Sequence, residues 1–274
     1  MTAHVLIEDV PYLQVADTRL LARMYRPSGS GPFPAVVSIH GGRWTAETRL
    51  TNAVLDQVLA AAGTLVMAVD FRMPPAVRYP IPISDINYAV RWLKLHAARF
   101  NVGSIGGMGT SSGGHQLLLT GMRPTDPRYS AGRLPEGDDV DAKLAFMVAC
   151  WPVADPVARF QMAQEKGMDI HVQAHMDYWP DEAAASEGSP QLILERHEPV
   201  ELPPTLIIQG TSDAILTPDM SDRFAAAYRR SGGDVELEKF ADQPHTFITK
   251  NPTSDAAIGA IESIKAFILR QSGK

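Results

Sequence analysis

Three residues able to carry nucleophilic chemistry, Ser111, Asp213 and His245, stand in that order along a chain of 274 residues, each just past a short apolar run. A serine hydroxyl becomes a nucleophile when a histidine takes its proton and a carboxylate orients that histidine. The serine lies in Gly109-Thr110-Ser111-Ser112-Gly113, after the strand-like run 104–108 and before a helical pattern that begins at Ser112. A Gly-x-Ser-x-Gly pentapeptide between a strand and a helix is the pattern of a nucleophile elbow, a sharp turn that exposes the hydroxyl. Side chains at the two glycines would collide with neighbouring backbone in such a turn. The amides at the start of the following helix favour negative charge beside the serine. Alone, the pentapeptide also fits a plain glycine-rich turn, so its support has to come from elsewhere in the chain.

Upstream, the β-branched run 34–39 reads as a buried strand of a parallel sheet and ends in His40-Gly41-Gly42-Arg43-Trp44. A glycine-rich loop after an early strand can present backbone N–H groups to a developing oxyanion. Gly42, Arg43 and Ser112 are therefore expected to supply N–H groups, with Gly41 permitting the loop geometry. Downstream, the apolar run 204–209 leads to Asp213, at a strand end where open α/β sheets keep their working residues. The alternating run 235–240 leads to His245, on a loop able to return over the sheet to the serine. Asp242 and Asp219 are the rival acids.

In this Ser, Asp, His order the chain resembles the α/β-hydrolases. It is most similar to the esterase/lipase branch carrying a His-Gly-Gly motif. That branch includes hormone-sensitive-lipase-like esterases, feruloyl and acetyl-xylan esterase-like proteins, and kynurenine formamidases. His-Gly-Gly-x-Trp at 40–44 resembles the last two groups more than the His-Gly-Gly-Gly lipases. Asp70-Phe71-Arg72-Met73, the stretch from Tyr79-Pro80 through Asp85 to Trp92-Leu93, Ser189-Pro190, and Gly-Thr-x-Asp at 210–213 extend the likeness over nearly the whole chain. Two positions depart from the pattern. Arg43 stands where the lipase group has a third glycine, and Ser112 stands where alanine is usual, a change expected to matter little because only its backbone N–H is needed.

Composition agrees with one soluble α/β domain: 45% hydrophobic and 20% charged residues, with a formal net charge of −6. Neither a basic run nor an interleaved aromatic platform is present, so no nucleic-acid partner is expected. No run approaches the roughly 18 apolar residues of a membrane span, and the stretch 1–9 lacks the features of a secretory leader. A cytoplasmic location, no membrane partner and no cofactor are the corresponding expectations, and a homodimer is compatible with them. The single cysteine, Cys150, reads as a buried core residue.

Strands are expected at 4–8, 12–16, 19–25, 34–39, 64–70, 104–108, 143–150, 205–209 and 235–240. Helices are expected at 50–62, 83–100, 112–121, 218–231 and 254–271. This alternation means a mostly parallel, doubly wound sheet flanked by helices. The break at 151–203 is far longer than the 2–6 residues of an ordinary α/β connection, and it reads as a helical cap insertion over the site. Trp44, Trp151, Tyr178 and Trp179 are the candidates to shape an apolar substrate pocket beneath it. His171 and His175, four apart, mimic a helical metal pair, but no third ligand accompanies them and no metal is expected. His115 is assigned packing beneath the oxyanion loop and Asp85 a cap or internal hydrogen bond, while Arg72 and Arg78 are assigned to anchor the loop around Asp70.

The chemistry these residues specify is attack of Ser111 on an ester or amide carbonyl, with release of the acyl group by water. The leading reading is a carboxylesterase for small or aryl esters. The alternatives are an arylformamidase or related amidase, suggested by Trp44, and a non-catalytic ligand receptor, which the complete triad disfavours. Arg43 leaves two readings open, an inward guanidinium that binds an anionic substrate group or a salt bridge to an acid of the cap.

Overall fold

The computed structural model describes residues 4–135 and 139–273. Residues 1–3, part of the stretch read above for a leader, lie outside them. In chain order the elements begin β1 (Leu6–Val15), β2 (Thr18–Arg26), β3 (Phe33–Ile39), α1 (Ala53–Ala61), β4 (Leu65–Val69), α2 (Ile81–Leu95) and α3 (Ala97–Phe100). They continue with β5 (Val102–Thr110), α4 (Ser112–Met122), α5 (Pro127–Ser130), β6 (Met147–Cys150), α6 (Pro156–Glu165), α7 (Asp169–Tyr178), α8 (Glu182–Glu187) and α9 (Pro190–Glu195). The last are β7 (Thr205–Gly210), α10 (Met220–Arg230), β8 (Val235–Phe240), α11 (Phe247–Lys250) and α12 (Asp255–Gln271).

Among the described residues the strands form one sheet of eight, ordered β1-β2-β4-β3-β5-β6-β7-β8. From β4 to β8 across this order neighbours are parallel, and β1 and β2 join antiparallel at one edge. The apolar runs of β4, β6 and β7 are buried at every residue, as parallel strands covered on both faces must be. One layer brings α1, α11 and α12 together, and the other runs from α2 through α4 and α9 to α10. The doubly wound arrangement expected from the sequence is the one observed.

Three boundaries differ from expectation. The runs 4–8 and 12–16 belong to one strand, β1, because a register shift between Pro11 and Leu13 lets the ladder pass the proline without its missing N–H. β6 begins at Met147 rather than at 143. The chain before it is held in a turn, where Asp141 accepts the N–H of Lys143 at 3.0 Å. The helix expected over 83–100 is two, α2 and α3, meeting at His96.

Between β6 and β7 the long break holds α6, α7, α8 and α9. Three of these start where their sequence says they should. The side chains of Asp155, Asp181 and Ser189 accept the N–H groups of Ala158, Ala184 and Leu192, and Pro156 and Pro190 fill first-turn positions. Among the described residues no helix is long and apolar enough to cross a membrane.

Beneath β3 the carboxyl of Asp56 is fully buried, accepts one hydrogen bond from Ser38 Oγ at 2.8 Å, and has a second oxygen without a partner. Burial pushes its pKa up to about 8, so it holds a proton at neutral pH. In the unfolded chain the same carboxyl ionises near ~3.9. The folded state therefore binds a proton that the unfolded state has lost, and the stability from this group falls as pH rises between those two values. The slope is about 1.4 kcal/mol per pH unit. Asp56→Asn should accordingly flatten the decline of urea-unfolding stability between about pH 5 and 8. Parallel declines in the variant and the parent would contradict a neutral Asp56.

Candidate active site

The site is assembled at the C-terminal ends of β3, β5, β7 and β8. At the end of β5 the chain turns sharply into α4, and Ser111, at the turn, has φ 55° and ψ −119°, a conformation that side-chain-bearing residues rarely adopt. The turn is fixed from both sides. Ser111 donates its N–H to Cys150 O at 2.9 Å, and its carbonyl accepts from Val153 N and His115 N, each at 3.2 Å. The two elbow glycines have a specific reason. A Cβ at Gly113 would lie 2.3 Å from the carbonyl oxygens of both Ile39 and His40, and one at Gly109 would lie 2.4 Å from Gly113 O. Only the absence of side chains lets α4 approach the end of β3.

Ser111 Oγ lies 2.9 Å from His245 Nε2, and His245 Nδ1 lies 2.7 Å from Asp213 Oδ2. Because a carboxylate only accepts, the Nδ1 proton belongs to the bond with Asp213, which leaves Nε2 free to accept from the serine. Asp213 also accepts from Ile215 N at 2.8 Å, Leu216 N at 3.3 Å and Gln209 Nε2 at 3.0 Å. Burial pushes its pKa up, but the hydrogen bond and charge of His245, with the Ile215 N–H and Gln209, outweigh that and hold it below the ordinary value. The carboxylate at the histidine is thus Asp213, and neither Asp242 nor Asp219 occupies that place. The loops bearing Asp213 and His245 are joined by Ser212 N to Gln243 O at 3.0 Å and Asp242 N to Thr211 Oγ1 at 2.8 Å.

The loop after β3 crosses in front of the serine. Gly42, Arg43 and Trp44 take φ of 97°, 59° and 67° in succession. Among the described residues the N–H groups of Gly42, Arg43 and Ser112 donate to no other protein group. That of Trp44 donates to Ser112 Oγ at 3.1 Å. The hydroxyl of Ser112, expected to matter little, therefore ties the loop to the elbow helix. A sequence offers no signal for this, since the two residues are 68 apart.

Three of the four aromatic residues expected to shape the pocket do not line it. Trp44, Tyr178 and Trp179 are 1%, 0% and 2% exposed. Trp44 stacks on Tyr178 with ring centroids 5.2 Å apart and meets Trp179 edge-on at 6.1 Å. They fasten the oxyanion loop to α7, because burying three large rings against one another is more favourable than presenting them to a water-filled cleft. His115 completes this core: its Nδ1 accepts from Trp44 Nε1 at 3.1 Å, and its Nε2 donates to Gly188 O at 2.9 Å. Burial lowers its pKa to about 4, so the ring stays neutral in this packing role.

The cleft that opens on the serine has a volume of about 390 Å³ and is walled by Gly42, Arg43, Ser111, Trp151, His171 and His245, among others. Trp151 remains at the site, edge-on to His245 with centroids 6.1 Å apart. His171 and His175 part company, with His171 on the cleft wall and His175 stacked on Phe160 at 4.0 Å. Among the described residues no cluster suited to a metal ion occurs. Cys150, buried beneath the elbow, has its thiol pushed up to about 12, which suits a core residue. Arg72 anchors the loop around Asp70 as expected, and Asp70 itself has a different partner. Asp70 pairs with Arg49, Nη1 to Oδ2 at 2.7 Å, whereas Arg72 forms a two-pronged pair with Asp85 at 2.9 and 2.6 Å.

The BD-FAE family model matches residues 23–228. Esterase LipC of Mycobacterium tuberculosis is 31% identical over 223 residues, which cover 75% of this chain and 52% of LipC. Esterase LipQ of the same organism is 23% identical over 252 residues, covering 87% of this chain and 56% of LipQ. The chain thus spans about half the length of these relatives. The hyperthermophilic esterase of the archaeon Pyrobaculum calidifontis superposes with a TM-score of 0.78 at 22% identity, covering 96% of this chain and 82% of its own. Propionate-bound esterase 2 of Thermogutta terrifontis superposes at 0.75 and 22% identity, covering 99% and 95%. At that identity the likeness is one of fold, and the fold is the α/β-hydrolase fold. With three quarters of its length matched by the family model, the chain belongs to the BD-FAE family, within the esterase/lipase branch of the α/β-hydrolases.

Proposed function

We propose that this protein is a serine hydrolase that cleaves carboxylic esters of small or aryl substrates through an acyl-enzyme on Ser111. The observation that carries the reading is the unbroken chain from Ser111 Oγ through His245 to Asp213, at 2.9 and 2.7 Å, opening on a cleft edged by unpaired amides. The names of the relatives, esterases and carboxylic ester hydrolases, support the same class.

In the first half-reaction His245 Nε2 takes the Ser111 proton as Oγ attacks the carbonyl carbon. The carbonyl π electrons move onto oxygen, and the N–H groups of Gly42, Arg43 and Ser112 receive the oxyanion, with Gly41 giving the loop its shape. As the tetrahedral carbon collapses, His245 passes its proton to the departing alcohol oxygen. Water then repeats the sequence against the acyl-enzyme, and the acid leaves. Asp213 holds the Nδ1 proton throughout and stabilises the imidazolium. These steps use only the named groups and water. Residues 151–203 act as a cap that forms one wall of the cleft, within a chain that works as a single unit.

An arylformamidase reading drew on Trp44, and that ring is packed against Tyr178 away from the cleft. Rates on p-nitrophenyl acyl esters, aryl acetates and N-formyl anilides decide between them. We expect the esters to turn over and the formyl anilides to lag. Turnover of formyl anilides alone would overturn the assignment.

A further inference from the structure

Among the described residues the buried arginines have partners, with one exception. Arg123 is paired with Glu187 and Glu198, while Arg91 donates to Asn87 and to Gly132 O. Arg159, on α6, is 1% exposed, and its Nε and Nη2 have no hydrogen-bond partner. Among the described residues no carboxylate pairs with it. Its guanidinium lies over the Trp44 ring, 4.9 Å from the centroid. Burial lowers its pKa to about 10, and repulsion from Arg43 adds to the effect. An unpaired charge removed from water is costly, and a fold tolerates it most readily where a ligand completes the pairing.

Arg43, the residue before Trp44, is on the cleft wall, and its Nε is likewise shut off from solvent without a partner. The salt bridge to a cap acid considered from the sequence does not form among the described residues. His171, on the same wall, is pressed down to about 4 by burial and then by the charges of Arg159 and Arg43; Arg43 lines the cleft, whereas Arg159 lies behind the lining. Among the described residues the one carboxylate on the wall is Glu47, 3.1 Å from Thr51 Oγ1 and in no ion pair. Lys250 contributes a further cation to the lining.

We propose that Arg43, with Arg159 as a second fixed positive charge behind it, binds a carboxylate of the substrate beside Ser111, so that the preferred esters are acidic ones. The guanidinium fork matches the two oxygens of a carboxylate, and the Trp44 ring and the cap keep competing water from Arg159. This substrate class rests on the ester-hydrolase reading above.

Two matched pairs test it, one with the charge on the alcohol side and one on the acyl side: 4-acetoxybenzoate against 4-acetoxybenzamide, and monomethyl glutarate against methyl 4-carbamoylbutanoate. In at least one pair the ratio of kcat/KM, anionic over neutral, should fall about 10–100-fold in Arg43→Gln and in Arg159→Met, through KM, as loss of a charge-assisted bidentate contact predicts. Arg159→Lys, which keeps the charge, should recover part of the ratio. Binding of benzoate and glutarate to the parent protein, measured by calorimetry, needs no turnover and should weaken in Arg43→Gln. Unchanged ratios, or carboxylates that fail to bind a protein that cleaves the neutral esters, would overturn the carboxylate site and leave ester hydrolysis standing. Carboxylate binding sensitive to Arg43 in a protein that cleaves no ester would sustain the site and overturn the hydrolase reading.

Discussion

Ser111→Ala should lower hydrolysis of a p-nitrophenyl ester by about 10⁴–10⁶-fold, because removing the nucleophile of a triad costs nearly as much as removing the triad. The fold should survive. The turn at Ser111 is held by backbone bonds to Cys150, Val153 and His115, none of which uses the hydroxyl. A methyl side chain meets the same φ of 55° that serine already endures. The check is the rate of purified variant and parent side by side, with thermal unfolding to show that both are folded. A variant within tenfold of the parent, in a preparation free of other esterases, would remove Ser111 from the mechanism.

Asp213→Asn should cost about 10²–10⁴-fold, by a different route. The asparagine oxygen can still accept from Ile215 N and Leu216 N, which now bind Asp213 Oδ1, so the loop keeps its shape. The other carboxylate oxygen presently accepts from both His245 Nδ1 and Gln209 Nε2. An amide nitrogen there would face two donors. His245 would then be driven to the tautomer with its proton on Nε2, which cannot take a proton from Ser111. The loss should fall on kcat, with far-ultraviolet circular dichroism unchanged. Near-parental activity in Asp213→Asn beside an inactive Asp242→Asn or Asp219→Asn would require another acid.

Ser111, His245 and Asp213, which the structure brings into one hydrogen-bonded row, were legible because each is announced by local chemistry. Gly109-x-Ser111-x-Gly113 specifies a turn that only glycines allow, and each apolar strand delivers its functional residue at its carboxyl end. The helical character of 151–203 was read from the length of the break alone, while its helix starts, at Asp155-Pro156 and Ser189-Pro190, appear in the structure. What stayed hidden depends on partners far away in sequence. An aromatic residue looks alike whether it lines a cleft or fills a core, so Trp44, Tyr178 and Trp179, expected at the pocket, lie instead in the core. Asp70 pairs with Arg49, 21 residues before it, and nothing local in the sequence announces that partner. Arg159 gave no local sign at all. A single arginine on a short helix ordinarily faces water, and here tertiary packing, with the guanidinium over the Trp44 ring, buries it.

The central claim is that Ser111 is the nucleophile, and covalent capture tests it most directly. An aryl phosphonate ester should add one phosphonyl group per chain, with loss of its aryl alcohol, and fragmentation of the labelled peptide should place the added mass on Ser111. Ser111→Ala should remain unlabelled under the same conditions. An adduct on any other residue, or equal labelling of the variant, would contradict the account.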